Sequence, residues 1–158
     1  MADALKPAYL IAGTDRPKID RALQRLRARF DADAVDVHHV NETTGDDAVA
    51  ACNALGLFAG DGRLVIVEGV EGWKAPDAKV IAAYLQAPAP ATTLALVGDA
   101  LKKDTPIAKA VAAVGEVLLW DVPQRGLQGW VAEQFETRGV SADAEACRAL
   151  IALVGDDL

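Results

Sequence analysis

The chain has 158 residues, of which 52% are apolar and only 5% aromatic, a composition typical of a globular domain and not of a disordered segment. Its formal net charge of −7 disfavours a surface that binds nucleic acid generally. No apolar run approaches the roughly 20 residues of a membrane span, and the N-terminus lacks the basic and then apolar order of a secretory signal. We therefore expect a cytoplasmic protein with no membrane partner.

Five strand-like runs alternate with helical patterns along the chain. Three of the runs are almost continuously apolar, as expected of strands that are covered on both faces. Alternation at this spacing predicts an α/β fold with a parallel sheet and right-handed crossovers. The predicted strands are residues 8–13, 35–40, 64–67, 93–98 and 117–120.

The helices between the strands are predicted from apolar stripes of helical period and from residues that favour helix starts. The predicted starts are Pro17, Asp46, Pro76 and Thr105. The second helix, capped by Asp46, carries Val49, Cys52 and Leu55 on its inward face. Cys52 and the second cysteine, Cys147, are predicted to be small buried thiols, because each lies among alanines and they are far apart in sequence.

The alternation ends after the fifth strand, where two helices follow one another. The first is predicted to end at Gly139, and Ser141 is predicted to cap the second. We therefore expect one α/β domain over residues 1–140 and the start of a helical domain over residues 141–158. Because a single final helix cannot form a domain, we expect the chain to be a truncated piece of a longer protein.

The most informative stretch is the segment 56–63, a glycine-rich turn that follows a predicted helix and leads into a buried strand. It places two large apolar side chains, Leu57 and Phe58, at the turn. Such a pair is unfavourable in water and would suit an anchor for a partner surface. The alternative, that both side chains fold back into the core, stays open from spacing alone.

The loop after the first strand has the position of a phosphate-binding loop but not its residues. Gly13 can serve as the first glycine of that motif. Lys18 stands where the second glycine belongs, while Ile19 and Asp20 replace the lysine and the magnesium-binding hydroxyl. The carboxylates of Asp15 and Asp20 would repel a phosphate. We predict a degenerate loop that does not bind ATP.

No other pattern predicts a catalytic or metal site. Glu68, after the third strand, could imitate a metal-binding carboxylate, but the simpler interpretation is a solvated or capping residue. His38 and His39 are adjacent on a strand and point to opposite faces, so they cannot hold one metal together. We expect no catalysis, metal or cofactor. One helix is basic and is either a solvated face or a contact to DNA or a partner; its cations are Arg16, Lys18, Arg21, Arg25, Arg27 and Arg29.

Several weak landmarks stand in an order and spacing that together are specific. They are the segments 8–15, 57–58, 63–67, 84–88, 98–103, 129–131 and 153–158. In these features nearly the whole chain resembles the N-terminal part of the delta-subunit family of the bacterial DNA polymerase III clamp loader.

The resemblance implies an AAA+-type fold, in which a RecA-like five-stranded parallel sheet flanked by helices precedes a small helical lid domain. It implies a protein that does not hydrolyse ATP but binds the beta sliding clamp and opens its ring for loading onto primed DNA. The clamp-binding anchors map onto Leu57 and Phe58, with Leu55 in support. The further partners it implies, for the full-length protein, are the gamma/tau and delta prime subunits, and DNA through the complex.

Three alternatives remain beside this interpretation. The chain could be a small P-loop-like nucleotide-binding protein, for which residues 13–20 lack a competent phosphate loop. It could be an ATPase-like clamp-loader subunit, although Cys52 and Cys147 cannot form the zinc-binding cluster usual there. It could also be a scaffold that does not contact the clamp.

Overall fold

The computed structural model of the protein describes residues 4–54, 62–122 and 126–154. The predicted anchor residues Leu55, Leu57 and Phe58 lie outside the described residues. In the described part, parallel strands form a five-stranded sheet in the order β2-β3-β4-β1-β5. The predicted α/β architecture is confirmed. The strands are β1 Ala8–Ala12, β2 Val35–His39, β3 Arg63–Glu68, β4 Thr92–Gly98 and β5 Glu116–Leu119.

The helices are α1 Arg16–Arg27, α2 Gly45–Asn53, α3 Ala75–Tyr84, α4 Pro106–Val114, α5 Leu127–Thr137 and α6 Ala144–Val154, with short 3₁₀ turns at Ala32–Ala34 and Val70–Gly72. Helices α1 to α4 connect the strands, and α5 and α6 follow β5. No helix in the described ranges is both long and apolar enough to cross a membrane.

The central strands β1, β3 and β4 supply side chains to both faces of the sheet, because successive residues of a strand point in opposite directions. One face packs against α1 through Ile19, Leu23 and Leu26. The other face packs against α2, α3 and α4. Coverage on both faces explains the nearly continuous apolar runs that identify these strands in the sequence.

Two predicted helix caps are wrong. Asp46 was expected to cap α2, but the N-cap is Thr44, whose hydroxyl accepts a hydrogen bond from the Asp47 backbone N–H at 3.2 Å. In return the Thr44 hydroxyl and backbone N–H donate to the Asp47 carboxylate, and these bonds lower the pKa of Asp47. This reciprocal pair satisfies two helix-start donors, which Asp46 alone could not do.

The second wrong cap is Ser141. The carboxylate of Asp143 accepts a hydrogen bond from the Ala146 backbone N–H at 2.7 Å, at the start of α6. By contrast, the predicted start of α4 is confirmed, since Thr105 caps it; Gly115 follows the end of the helix.

The chain divides into two compact units, Met1–Trp120 and Asp121–Leu158. The first contains the sheet. In the second, α5 and α6 pack together around Trp130, Val131 and Cys147. The division lies earlier than the boundary near residue 140 expected from sequence, because α5 packs with α6. Val154, the last residue of α6, is exposed.

Candidate functional site

In the loop after β1, the carboxylate of Asp15 occupies the start of helix α1. The side chain of Asp15 is fully buried and accepts a hydrogen bond from the Lys18 backbone N–H at 3.3 Å. It also pairs with the Lys18 ammonium at 3.1 Å. Asp15 is the N-cap of α1, so this carboxylate lies at the helix start, where a phosphate-binding loop would hold its anion.

Backbone donors of the same loop bond to neighbouring strand ends. The Gly13 N–H donates to the Gly98 carbonyl at 3.2 Å, and the Asp15 N–H donates to the Trp120 carbonyl at 3.0 Å. Gly13 has a φ of +129°, and a Cβ there would stand 1.9 Å from the Trp120 carbonyl oxygen. The loop therefore lies against the end of β5 and uses amides that a phosphate would need.

The carboxyl edge of the sheet, where its parallel strands end, contains a polar cleft of about 350 Å³. The Arg16 guanidinium forms an ion pair with Asp99 just after β4, and the Asp99 backbone N–H donates to the Glu71 carboxylate at 3.1 Å. Asp20, the third predicted loop residue, lines this cleft. Sequence reasoning did not single out Asp99 or Glu71, since neither belongs to a pattern that predicts a ligand site.

Glu68 also lies at this cleft, and its carboxylate stands 3.3 Å from Nδ1 of His39 on the neighbouring strand. His38 points to the other face of the sheet, and its Nε2 is buried without a hydrogen-bond partner. The predicted separation of the two histidines matches these placements. Within the described ranges, no group of three or more His, Cys, Asp or Glu residues could hold a metal ion.

Several cations of the predicted basic helix are engaged within the protein. Arg16 and Lys18 form the ion pairs given above, and the Arg21 guanidinium donates to the Pro17 carbonyl at 3.2 Å. Arg25 and Arg27, in the last turn of α1, are exposed. Positively charged side chains in the last turn of a helix interact favourably with the negative end of the helix dipole.

The amino edge of the sheet, where its strands begin, carries the residues on either side of the predicted anchor. Ala54 follows α2, and Gly62 precedes β3. The Arg63 guanidinium donates to the Ala54 carbonyl at 3.0 Å, which links the start of β3 to the residue after α2. Two clefts, of about 670 and 250 Å³, both include Gly62 and Phe30 in their walls.

A side-chain hydrogen bond joins the end of α2 to the start of β4. The Thr92 hydroxyl donates to the Cys52 carbonyl at 3.2 Å. Burial raises the pKa of the Cys52 thiol to about 11, although a hydrogen bond with Tyr84 acts in the opposite direction. Burial likewise raises the pKa of Tyr84 to about 12. Both groups are therefore neutral at physiological pH.

The fold is similar to that of the Bacillus subtilis DNA clamp loader delta protein, with a TM-score of 0.66 and 21% sequence identity over 98% of this chain. The chain has the fold of a clamp-loader delta protein. This finding confirms, at the level of the fold, the resemblance predicted from the sequence. A DNA polymerase III gamma subunit-related protein from Thermotoga maritima is also similar, with a TM-score of 0.51 and 16% identity over 96% of this chain.

The chain spans about half the length of these two proteins, 50% of the first and 54% of the second. No protein-family model matches the chain, and no curated protein matches its sequence. The similarity is therefore one of tertiary structure.

Proposed function

We propose that this chain is the clamp-binding part of a clamp-loader delta subunit. It binds the beta sliding clamp through Leu57 and Phe58, supported by Leu55, and favours the open ring for loading onto primed DNA without hydrolysing ATP. The observation that carries this proposal is the fold similarity to the Bacillus subtilis DNA clamp loader delta protein over 98% of the chain.

The contacts of the loop after β1 support a role without nucleotide hydrolysis. The buried Asp15 carboxylate lies at the start of α1, and two loop amides donate to the Gly98 and Trp120 carbonyls. An incoming phosphate would have to displace a buried, ion-paired carboxylate and break these bonds. Because burying a second negative charge there is unfavourable, the edge that binds ligands in many parallel α/β proteins is poorly suited to ATP.

The apolar character of the segment 55–61 supports the clamp-binding role. Burying the Leu57 and Phe58 side chains in a partner's pocket would contribute about 1.5–3 kcal/mol each. The chain on either side of this segment is anchored in the fold, since the Arg63 guanidinium donates to the Ala54 carbonyl and the Arg63 N–H donates to the Ala91 carbonyl.

The proposed mechanism is a population shift in the partner. If the chain binds the open clamp more tightly than the closed one, binding alone increases the open fraction, and this chain needs no chemical step. Assembly with gamma/tau and delta prime subunits, and contact with DNA through the complex, belong to the full-length protein in this proposal.

The test is isothermal titration calorimetry of the chain against the beta sliding clamp of the same organism. We expect the wild-type chain to bind and the double variant Leu57→Ala/Phe58→Ala to lose about 3–6 kcal/mol of binding free energy. Leu153→Ala is the matched control, since Leu153 is 85% exposed on α6 and its truncation removes a similar side chain. Circular dichroism should be the same for all three proteins.

Failure of the wild-type chain to bind any form of the clamp would contradict the proposed function and favour a scaffold. Binding that is equally strong in the double variant would leave the clamp as partner but contradict the anchor assignment.

A further inference from the structure

Positive charge is concentrated on α1 in a chain that is acidic as a whole. The formal net charge is −7, yet six of the 16 lysines and arginines fall within residues 16–29. Asp20 is the only acidic residue in the same range. This short segment therefore carries a local excess of positive charge, while the rest of the chain is strongly negative.

Three of these arginines follow one another along the outer side of the helix. Arg21, Arg25 and Arg29 are spaced four residues apart, and residues four apart share a helix face. The Arg29 backbone N–H donates to the Leu26 carbonyl at 3.1 Å, so the last turn extends to Arg29. The three residues, which we call the arginine row, span roughly 12 Å along the helix axis.

The arginine row carries charge that the fold leaves available. Arg25 is exposed and forms no ion pair with any residue that the structure describes. The Arg21 guanidinium donates to the Pro17 carbonyl, a neutral group that leaves the positive charge in place. Arg29 is exposed. The row therefore presents cations to solvent, unlike the first turn of α1, where cations pair with carboxylates.

Two simpler roles do not account for the arginine row. Cations interact favourably with the helix dipole only near the last turn, whereas Arg21 lies more than one turn before the end of α1. Binding to a membrane surface requires an accessible apolar face. The apolar face of α1 is instead buried against the sheet through Ile19, Leu23 and Leu26.

We propose that the arginine row binds the phosphate backbone of duplex DNA without reading its sequence. A phosphate backbone is a continuous line of negative charge, and a straight row of cations fits such a line better than the separate carboxylates of a protein surface. Each guanidinium can also donate two parallel hydrogen bonds to one phosphate. This inference does not depend on the proposed binding of the clamp.

The surrounding charge confines the contact to this row. Asp31 and Asp33 are exposed just beyond Arg29 and repel a phosphate, so the binding surface ends there. The net charge of −7 disfavours DNA on the rest of the surface. We therefore expect weak binding that depends strongly on the salt concentration.

The test is the fluorescence anisotropy of a labelled DNA duplex of about 20 base pairs, titrated with the whole chain between about 50 and 200 mM sodium chloride. Three phosphate contacts predict that the logarithm of the association constant falls with the logarithm of the salt concentration with a slope of about −2.7. We expect Arg25→Gln to raise the dissociation constant about threefold to tenfold at the lowest salt and to reduce the steepness of the slope by about one.

Arg27→Gln is the matched control. Arg27 lies in the same last turn, is also exposed and forms no ion pair with a residue in the described ranges. Residues two apart do not share a helix face, so Arg27 stands outside the arginine row although its removal changes the net charge equally. We expect its dissociation constant to stay within about twofold of wild type.

A second pair of variants separates the row from net charge. Both lose three positive charges, one from the arginine row and one from exposed lysines elsewhere on the sheet unit. They are Arg21→Gln/Arg25→Gln/Arg29→Gln and Lys79→Gln/Lys103→Gln/Lys109→Gln. We expect the first to abolish measurable binding and the second to weaken it only slightly. Circular dichroism and thermal melting establish that each variant is folded, and the single variants decide the matter if a triple variant is not.

Three results would overturn the inference. The first is a wild-type chain that does not bind the duplex at the lowest salt. The second is equal weakening by Arg25→Gln and Arg27→Gln, or by the two triple variants, since only net charge would then matter. The third is binding of polyglutamate through the row without binding of the duplex, which would favour an acidic protein as the partner. No measurement here includes the clamp, so failure of either proposal leaves the other standing.

Discussion

The two edges of the sheet differ in what their polar groups do. At the carboxyl edge, Asp15 is fully buried and paired with Lys18, and Arg16 pairs with Asp99. At the amino edge, Arg63 is paired too, but its partners are the residue just before the segment 55–61 and the edge strand β2. Internal pairing occupies the start of α1 at the first edge, whereas at the second edge it joins the end of α2 to the beginnings of β2 and β3.

This difference shows that a parallel sheet can lack a phosphate-binding site at its carboxyl edge and still have room for a partner contact at its amino edge. Ligands of α/β proteins usually bind beyond the carboxyl ends of the strands, since loops and helix starts converge there. In this chain the Asp15 carboxylate occupies the helix start at that edge, and the proposed partner contact is at the opposite edge. The two clefts that include Gly62 and Phe30 in their walls lie at the same amino edge.

The largest expected effect comes from disturbing the closed carboxyl edge. Gly13→Ala places a Cβ 1.9 Å from the Trp120 carbonyl oxygen at a φ of +129°, so β1 and β5 must move apart. We expect the free energy of unfolding of the sheet unit to fall by about 3 kcal/mol or more, measured by urea denaturation.

The control for this substitution is Gly129→Ala in α5, where a Cβ meets nothing within 4 Å. It should stabilise its helix by about 0.5–1 kcal/mol. Wild-type stability in Gly13→Ala would mean that the loop after β1 does not lie tightly against the end of β5. The contrast drawn between the two edges of the sheet would then be wrong.

A smaller effect is expected near the amino edge at high pH. Burial raises the pKa of Cys52 from 9.0 to about 11, so between these values the folded thiol keeps a proton that the unfolded chain has lost. The stabilisation is complete below pH 9 and is lost as the pH rises through 11. We expect the free energy of unfolding to fall by about 2–3 kcal/mol over this interval.

Urea denaturation at a series of pH values measures this slope. Tyr84, whose pKa is raised to about 12, should extend the decline to higher pH. Cys52→Ala lowers stability at every pH because it empties a buried position, but it should remove the part of the slope between pH 9 and 11. The same slope in the variant would mean that Cys52 is not buried as described.

For added nucleotide we expect no change in the melting temperature. Because Asp15 lies at the start of α1 and loop amides are already bonded, Mg-ATP or Mg-GTP should leave the melting temperature unchanged within error. Ligand binding to the folded state raises the melting temperature, so a clear increase would contradict the prediction that the loop after β1 does not bind nucleotide. That result would favour a small nucleotide-binding protein over a clamp-loader subunit.

Local patterns predicted the fold and one part of the candidate site. The order of strands and helices was predictable because buried parallel strands are continuously apolar, and the α4 start at Thr105 was predictable because Pro106 follows it. The cap of α2 was not, since Asp46 and Thr44 both suit an N-cap and only the reciprocal bonds with Asp47 distinguish them.

The amino-acid sequence by itself determined the layered α/β architecture and the altered loop at Gly13, Lys18 and Asp20, because both depend on neighbouring residues along the chain. Only the tertiary structure decided which groups meet. Arg63 and Asp36 are 27 positions apart and Thr92 and Cys52 are 40 apart, so no local pattern shows that they pair. The contact between Arg63 and Asp36 arises because parallel strands bring their starts to one edge of the sheet, and this is the physical reason that it could be identified only in the folded chain.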